Sequence, residues 1–251
     1  MKRFGLIGHP LGHSFSKAYF TEKFKKEGLI CEYLNFDIEE ISLIKQVIAD
    51  HPDLKGLNVT IPYKEAILPY LDELDAEAAE VGAVNTVKVF PNGRLKGYNT
   101  DILGIRAALQ TAIQQCGNHD EPMANPALIL GTGGASKAVK YVLRKNDIPF
   151  HLVSRTLGKG DFTYKELNPE NIKEHRLIIN ATPVGMAPHT EEAPTLPYEA
   201  ITPQHILFDL IYNPEETLFL KHGRQHGANT INGLTMLHVQ AEASWSIWTM
   251  D

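Results

Sequence analysis

The sequence predicts an α/β protein organised in two domains, and three observations predict it. Apolar strand-like runs alternate with helical stretches along nearly all of its 251 residues, the pattern of a parallel sheet covered by helices. That pattern breaks at the polar stretch QQCGNHDEPMANP (114–126), which reads as a loop closing one unit, and then restarts. In the restarted half, a strand, a cluster of glycines and a helix follow one another directly in ALILGTGGASKAV (127–139).

In chain order, RFGLIG (3–8) reads as a strand and 16–27 as a helix entered through Ser14 and Ser16. CEYLNF (31–36) is a second strand, ISLIKQVIAD (41–50) a helix, and GLNVT (56–60) a third strand that Pro62 ends. VNTVKVF (84–90) and RLKGYN (94–99) flank Asn92-Gly93, the strongest two-residue hairpin signal. A two-residue loop there pairs positions summing to 185, so that Asn85 faces Thr100 and stands beside Asp101; a bulge would shift that register. A helix over about 101–115 marks the domain boundary. After the restart come the glycine turn, its helix and a second strand, FHLVSR (150–155). The closing stretch NGLTMLHVQAEASWSIWTM (232–250) reads as an amphipathic helix able to return to the first domain.

Composition narrows the function classes. Hydrophobic content of 43% and charged content of 22% are those of a globular protein. A formal net charge of −6 argues against a nucleic-acid partner. No apolar run approaches the ~20 residues that span a bilayer, so no membrane partner is expected. The opening MKRFGLIGHP has too short an apolar stretch for a secretory leader. Cys31 and Cys116 show no metal or redox spacing, which suits a cytoplasmic protein. His222 and His226 lie four apart on a possible helix, but no third ligand is evident, and they read as a surface pair, with no metal expected.

Gly131, Gly133 and Gly134, with Thr132 and Ala135 between and after them, let the backbone turn tightly and approach a pyrophosphate at a helix N-terminus. A lone glycine cluster is weak evidence; strand, glycines, helix and second strand within about 30 residues make the full dinucleotide-binding, Rossmann-type context. The end of the second strand selects the cofactor. It carries Ser154, Arg155 and Thr156, with Lys159 close behind and no acidic residue before Asp161. Arg there accommodates a 2′-phosphate where an acid would hold the ribose of NAD, so NADP is the expected cofactor.

The polar run LNVTIPYKE (57–65) sets Asn58, Thr60 and Lys64 at the carboxyl end of a strand, where open α/β sheets place their ligands. Taken alone, Lys64 reads as solvated and Asp101 as a helix cap. Ser14 and Ser16 likewise read as caps, and Gln240 as an exposed helix residue.

Together these motifs resemble the shikimate dehydrogenase family. GLIGHPLGHSFSKAYF (5–20), LNVTIPYKE, GAVNTV (82–87), GYNTDILG (97–104), LGTGGASKA (130–138), SRT (154–156), INATPVGM (179–186), DLIYNP (209–214) and NGLTMLHVQA (232–241) occur in the family's order from end to end. The resemblance implies reversible NADPH-dependent reduction of 3-dehydroshikimate to shikimate, a step toward aromatic amino acids. It implies a substrate-binding α/β domain (1–101 with 232–251) and an NADP-binding Rossmann domain (102–231). Lys64 and Asp101 then match the catalytic pair. Asp101 favours the charged lysine and burial the neutral one, so the proton relay is assigned to the pair, with Lys64 as donor. Ser14, Ser16, Thr60 and Tyr212 match carboxylate contacts, and Asn85 and Gln240 offer amides to ring hydroxyls. Leu210 and Gly233 join the cofactor contacts. Three departures stand out: Lys17 where the family commonly has Pro, Thr132 where Ala is common, and a trimmed 157–175 region. The expected partner is a small-molecule substrate, and the expected assembly a monomer or homodimer. The rivals are a quinate/shikimate dehydrogenase and a non-catalytic NADP-binding regulator.

Overall fold

A computed structural model describes residues 1–12, 15–115 and 125–250. Ser14 and most of the polar loop at 114–126, with Cys116, lie outside the described residues. The chain forms two compact units, residues 1–100 with the segment from Ala241 onward, and Asp101–Gln240.

The first unit contains β1 (Lys2–Gly8), α1 (Phe15–Lys26), β2 (Cys31–Asp37), α2 (Ile44–Asp50), β3 (Leu54–Val59), α3 (Tyr63–Ala66), β4 (Glu73–Leu74), α4 (Ala76–Val81), β5 (Thr86–Val89) and β6 (Leu95–Tyr98). The helix expected over 41–50 opens with a 3₁₀ turn, Ile41–Leu43, before α2. The sheet order is β2-β1-β3-β5-β6-β4. β1 pairs parallel with β2 and β3, while β5 pairs antiparallel with β3 and β6.

The hairpin corrects the expected register. Thr86 pairs with Tyr98 and Val89 with Leu95, so paired positions sum to 184 rather than 185. Phe90 N–H donates to Arg94 O at 2.9 Å, which makes Pro91-Asn92-Gly93 a three-residue loop. Gly93 takes the left-handed φ of 80° that such loops require. The Asn92 side chain accepts from Arg94 N–H at 3.1 Å, which favours the longer loop over the two-residue turn.

The second unit contains α5 (Asp101–Gln115), β7 (Ala127–Leu130), α6 (Gly134–Lys145), β8 (Phe150–Ser154), β9 (Phe162–Thr163), α7 (Pro169–Glu174), β10 (Leu177–Asn180), β11 (Ile206–Asp209), α8 (Leu218–Gln225), β12 (Asn229–Ile231) and most of the first half of α9 (Leu234–Thr249). Its sheet is parallel, in the order β12-β11-β10-β7-β8-β9. The chain runs outward from β7 to β9, then returns to the centre and runs the other way from β10 to β12. That is the doubly wound order, with its topological switch point between β7 and β10. β7 and β10 are buried along their whole length, as parallel strands covered on both faces must be.

The last helix is divided between the units at Gln240/Ala241, not at 231/232 as the sequence suggested. The reason is packing at both ends. A Cβ on Gly104 of α5 would meet Met236 O at 2.5 Å, which shows how closely the first turn of α9 lies on α5. Beyond Ala241, Trp248 stacks on Phe4 at a centroid distance of 5.0 Å, and its Nε1–H donates to Val87 O at 3.0 Å. Gly56 is what lets β3 accept that indole, since a Cβ there would meet it at 2.2 Å. The C-terminal helix thus returns to the first unit.

Candidate active site

In the first unit, a buried hydroxyl and amide cluster organises the expected substrate residues. Asn85, just ahead of β5, is 3% exposed, and its Oδ1 accepts from Thr100 N–H at 2.7 Å and from the hydroxyls of Thr100 and Thr86, both at 3.2 Å. So Asn85 and Thr100 do meet, through a side chain rather than through the expected strand register. Thr86 and Ser244 hydroxyls lie 2.8 Å apart, and Asn58 Nδ2 donates to Ser244 Oγ at 3.0 Å. Asn58 Oδ1 accepts from the Tyr33 hydroxyl at 2.7 Å. Burial pushes the Tyr33 phenol far up, and a hydrogen bond from Ser16 opposes that. Ser16, Tyr33, Asn58, Ser244, Thr86, Asn85 and Thr100 therefore form one connected chain.

Asn58 is turned into this chain, whereas Thr60 lies at the end of β3 beside β1. Thr60 N–H donates to Ile7 O at 3.0 Å, and a Cβ on Gly8 would meet Thr60 Cγ2 at 2.5 Å. Lys64, in α3, is half-buried, and its carbonyl accepts from Val84 N–H at 2.7 Å, tying α3 to the segment that carries Asn85. The approach to α1 is pinned from below. Asp37 accepts from Leu11 N–H at 3.0 Å and pairs with His9 Nδ1 at 2.7 Å, and these two contacts, the backbone one first, hold its carboxyl below the usual range.

The second unit holds the remaining candidates. Asp101 is the first residue of α5 and 1% exposed. Gly131 directly follows β7 with φ 102°, a conformation that side-chain-bearing residues rarely adopt. A Cβ on it would meet Thr182 Cγ2 at 2.8 Å, so the turn lies against the end of β10, at the switch point itself. Gly133 is the N-cap of α6 and has no side chain to satisfy the first-turn N–H groups; a Cβ on it would meet nothing within 4 Å. Thr132 is exposed beside it, and Gly134 and Ala135 open the helix. The buried hydroxyl of Ser136, in the same first turn, has no hydrogen-bond partner. An uncapped helix end with open space before it fits a bound pyrophosphate.

At the end of β8, the buried Ser154 hydroxyl accepts from Thr156 N–H at 3.1 Å, shaping the turn that presents Arg155. Arg155, Thr156 and Lys159 are exposed, and Arg155 acts electrostatically on the phenol of Tyr164. Asp161, the nearest acid along the chain, is engaged elsewhere, accepting from Leu152 N–H at 2.7 Å. The residues at this strand end therefore suit a 2′-phosphate better than a bare ribose. Leu210 and Gly233 are in contact: a Cβ on Gly233 would meet Leu210 O at 2.2 Å. Tyr212 is half-buried two residues further, its phenol raised by burial. Gln240 falls in this unit, one residue before the division of α9. His222 lies in α8 with its ring 4.5 Å from that of Tyr198, and His226 caps the helix. Among the described residues, no group of three or more His, Cys, Asp or Glu could hold a metal ion.

Sequence reasoning missed Tyr33, Ser244, Thr182, Asn180, Asp209 and Thr217. Asn180 and Asp209 stood inside quoted motifs, yet nothing in their spacing signalled that they meet across neighbouring strands.

Residues 6–87 match the family model described as the shikimate dehydrogenase substrate binding domain. The NADP(+) shikimate dehydrogenase of Methanococcus maripaludis is 41% identical over 264 residues, covering 99% of this chain and 92% of that protein. A Thermus thermophilus shikimate 5-dehydrogenase, solved with NADP(H) and shikimate, superposes with a TM-score of 0.85 at 33% identity, covering 99% of this chain and 94% of that one. A quinate dehydrogenase from Corynebacterium glutamicum, solved with NAD, reaches the same TM-score at 25% identity, covering 99% and 93%. The chain belongs to the shikimate dehydrogenase family.

Proposed function

We propose that this protein catalyses the reversible NADPH-dependent reduction of 3-dehydroshikimate to shikimate. The observation that carries the reading is the switch point of the second sheet, where Gly131 abuts Thr182 and an uncapped α6 follows, with Arg155 directly after the next strand. That arrangement supports a dinucleotide bearing a 2′-phosphate.

On this reading the second unit binds the cofactor. Ser14, Ser16, Thr60 and Tyr212 bind the substrate carboxylate, while Asn85 and Gln240 orient its ring hydroxyls. Gly131, Thr132, Gly133, Gly134 and Ala135 receive the pyrophosphate; Ser154, Arg155, Thr156 and Lys159 receive the adenosine phosphate; Leu210 and Gly233 border the remaining part. The bound cofactor supplies the hydride. Lys64, with Asp101 as partner, gives the proton to the oxygen that becomes the new hydroxyl. We place the activity in the cytoplasm, in a monomer or homodimer.

Assaying oxidation of shikimate and of quinate, each with NADP and with NAD, tests the proposal. Turnover chiefly with shikimate and NADP is the expected result. Preference for quinate favours the broader dehydrogenase reading, for which the quinate enzyme's likeness is the reason to include it. Binding of both ligands without turnover leaves a regulator.

A further inference from the structure

One buried carboxylate lies beneath the switch point. Asp209, the last residue of β11, is fully buried. Its Oδ1 accepts from Asn180 Nδ2 at 3.1 Å and from Ile211 N–H at 3.0 Å, and its Oδ2 accepts from the Thr217 hydroxyl at 2.6 Å. Asn180, the last residue of β10, passes the connection on: its Oδ1 accepts from Thr182 N–H at 3.1 Å and from the Thr182 hydroxyl at 2.6 Å. Thr182 is the residue against which Gly131 turns, and Leu210, next to Asp209, is the residue against which Gly233 packs. The loops leaving β10 and β11 are thus tied to a single side chain, and the turns after β7 and β12 pack against them at Thr182 and Leu210.

We infer that Asn180, Asp209 and Thr217 are positioning residues of the dinucleotide site, with the Asp209 carboxylate fixing the loops that leave β10 and β11 against the Gly131 turn. The inference deepens the proposed function and rests on its reading that Gly131, Leu210 and Gly233 border NADP. Stability alone would not need this layout: Thr217 already serves as the N-cap of α8 through Leu220 N–H at 3.4 Å. Its hydroxyl proton is directed at Asp209 in addition.

All three partners of Asp209 donate, so the ionised carboxylate is the form that fits. Burial opposes it and pushes the carboxyl up to about 6, while Thr217, Ile211 and Asn180 pull it down. Among the described residues, the titratable group acting with it is Tyr198, whose phenol burial raises first and Asp209 and Tyr164 raise further; His222 of α8 lies against that ring. Protonation would direct a hydrogen at a donor and release one of the loops.

NADP affinity measured calorimetrically from pH 5.5 to 8 tests the inference, with melting of the ligand-free protein recorded alongside. Thr217→Val and Asn180→Ala each remove a donor, and Thr217→Ser keeps one. Affinity of the parent should fall as pH drops through about 6. In Thr217→Val and Asn180→Ala that fall should begin at higher pH, with affinity at pH 7.5 lower by about tenfold, or ~1.4 kcal/mol. Thr217→Ser should stay within about twofold of the parent. Titration of the 2′-phosphate is common to every variant, so the displacement between variants isolates Asp209. Variants that melt lower yet keep the parent's pH dependence and affinity would overturn the inference, leaving a structural role only. A parent that binds no NADP would instead overturn the functional reading. Asn180→Ala leaves the α8 cap intact and carries the test if Thr217→Val does not fold.

Discussion

Replacing Asn85 with alanine isolates what the buried polar cluster contributes. Asn85 Oδ1 serves three donors: Thr100 N–H at 2.7 Å and the hydroxyls of Thr86 and Thr100 at 3.2 Å. The two hydroxyls have other partners, since they lie 3.1 Å apart and Ser244 Oγ is 2.8 Å from one and 3.3 Å from the other. They can re-pair at little cost. The Thr100 N–H cannot rotate, and Thr100 is 2% exposed, so the amide is left without an acceptor away from water. A stranded buried donor costs ~1–3 kcal/mol, so the variant should lose about 2 kcal/mol. For a chain of this size that lowers the melting temperature by roughly 4–8 °C. Calorimetry of the ligand-free protein measures it, with Thr86→Val, which removes a hydroxyl but strands no backbone group, as the milder comparison at about 1 kcal/mol. If Asn85→Ala melts within about 1 °C of the parent, or no lower than Thr86→Val, the Thr100 amide finds another acceptor and the argument for Asn85 as an organiser fails. On the proposed reading, the same variant also raises KM for shikimate, which steady-state kinetics read separately.

The other expectations are briefer. Lys64→Ala should lower kcat by ~10²–10⁴ while leaving shikimate and NADP binding near the parent's; turnover close to the parent's removes Lys64 from the proton step. Arg155→Ala should raise KM for NADP and leave NAD unaffected, erasing a preference of about 10²-fold, or ~3 kcal/mol; equal weakening of both cofactors refutes the 2′-phosphate contact. Trp248→Ala, which empties an aromatic cluster and removes the bond to Val87 O, should cost ~3–5 kcal/mol in denaturant unfolding. Asp209 gives a pH dependence of stability. Its folded carboxyl, up at about 6 from 3.8, keeps a proton that the unfolded chain releases earlier. This group's contribution is therefore most favourable below about pH 4 and declines as pH rises through about 6, by at most ~3 kcal/mol. Asp209→Asn should flatten that decline in melts of the ligand-free protein, and an unchanged slope would count against the raised carboxyl.

The sequence by itself determined the α/β class, the glycine turn and the run of Ser154, Arg155 and Thr156 at the second strand's end, because each is written in contiguous residues. Gly131 must take a positive φ, and a helix must start just beyond it; Arg155 needs only to end the next strand. These are local constraints on backbone and spacing. The hairpin was legible as a hairpin, but its register was not: Asn92-Gly93 allows both a two- and a three-residue loop, and the choice fell to the capping bond between Asn92 and Arg94. The division of α9 was decided by the close approach of Gly104 to Met236 and by the indole of Trp248 against Gly56, contacts between residues more than a hundred positions apart. The same holds for the two polar clusters. Asn58, Tyr33 and Ser244 come from β3, β2 and α9, and Asn180, Asp209 and Thr217 from two strand ends and a helix cap. A buried amide, hydroxyl or carboxylate announces nothing in its own neighbourhood of sequence. Its role comes from the partners that satisfy it once water is excluded, and only the tertiary structure chooses those partners.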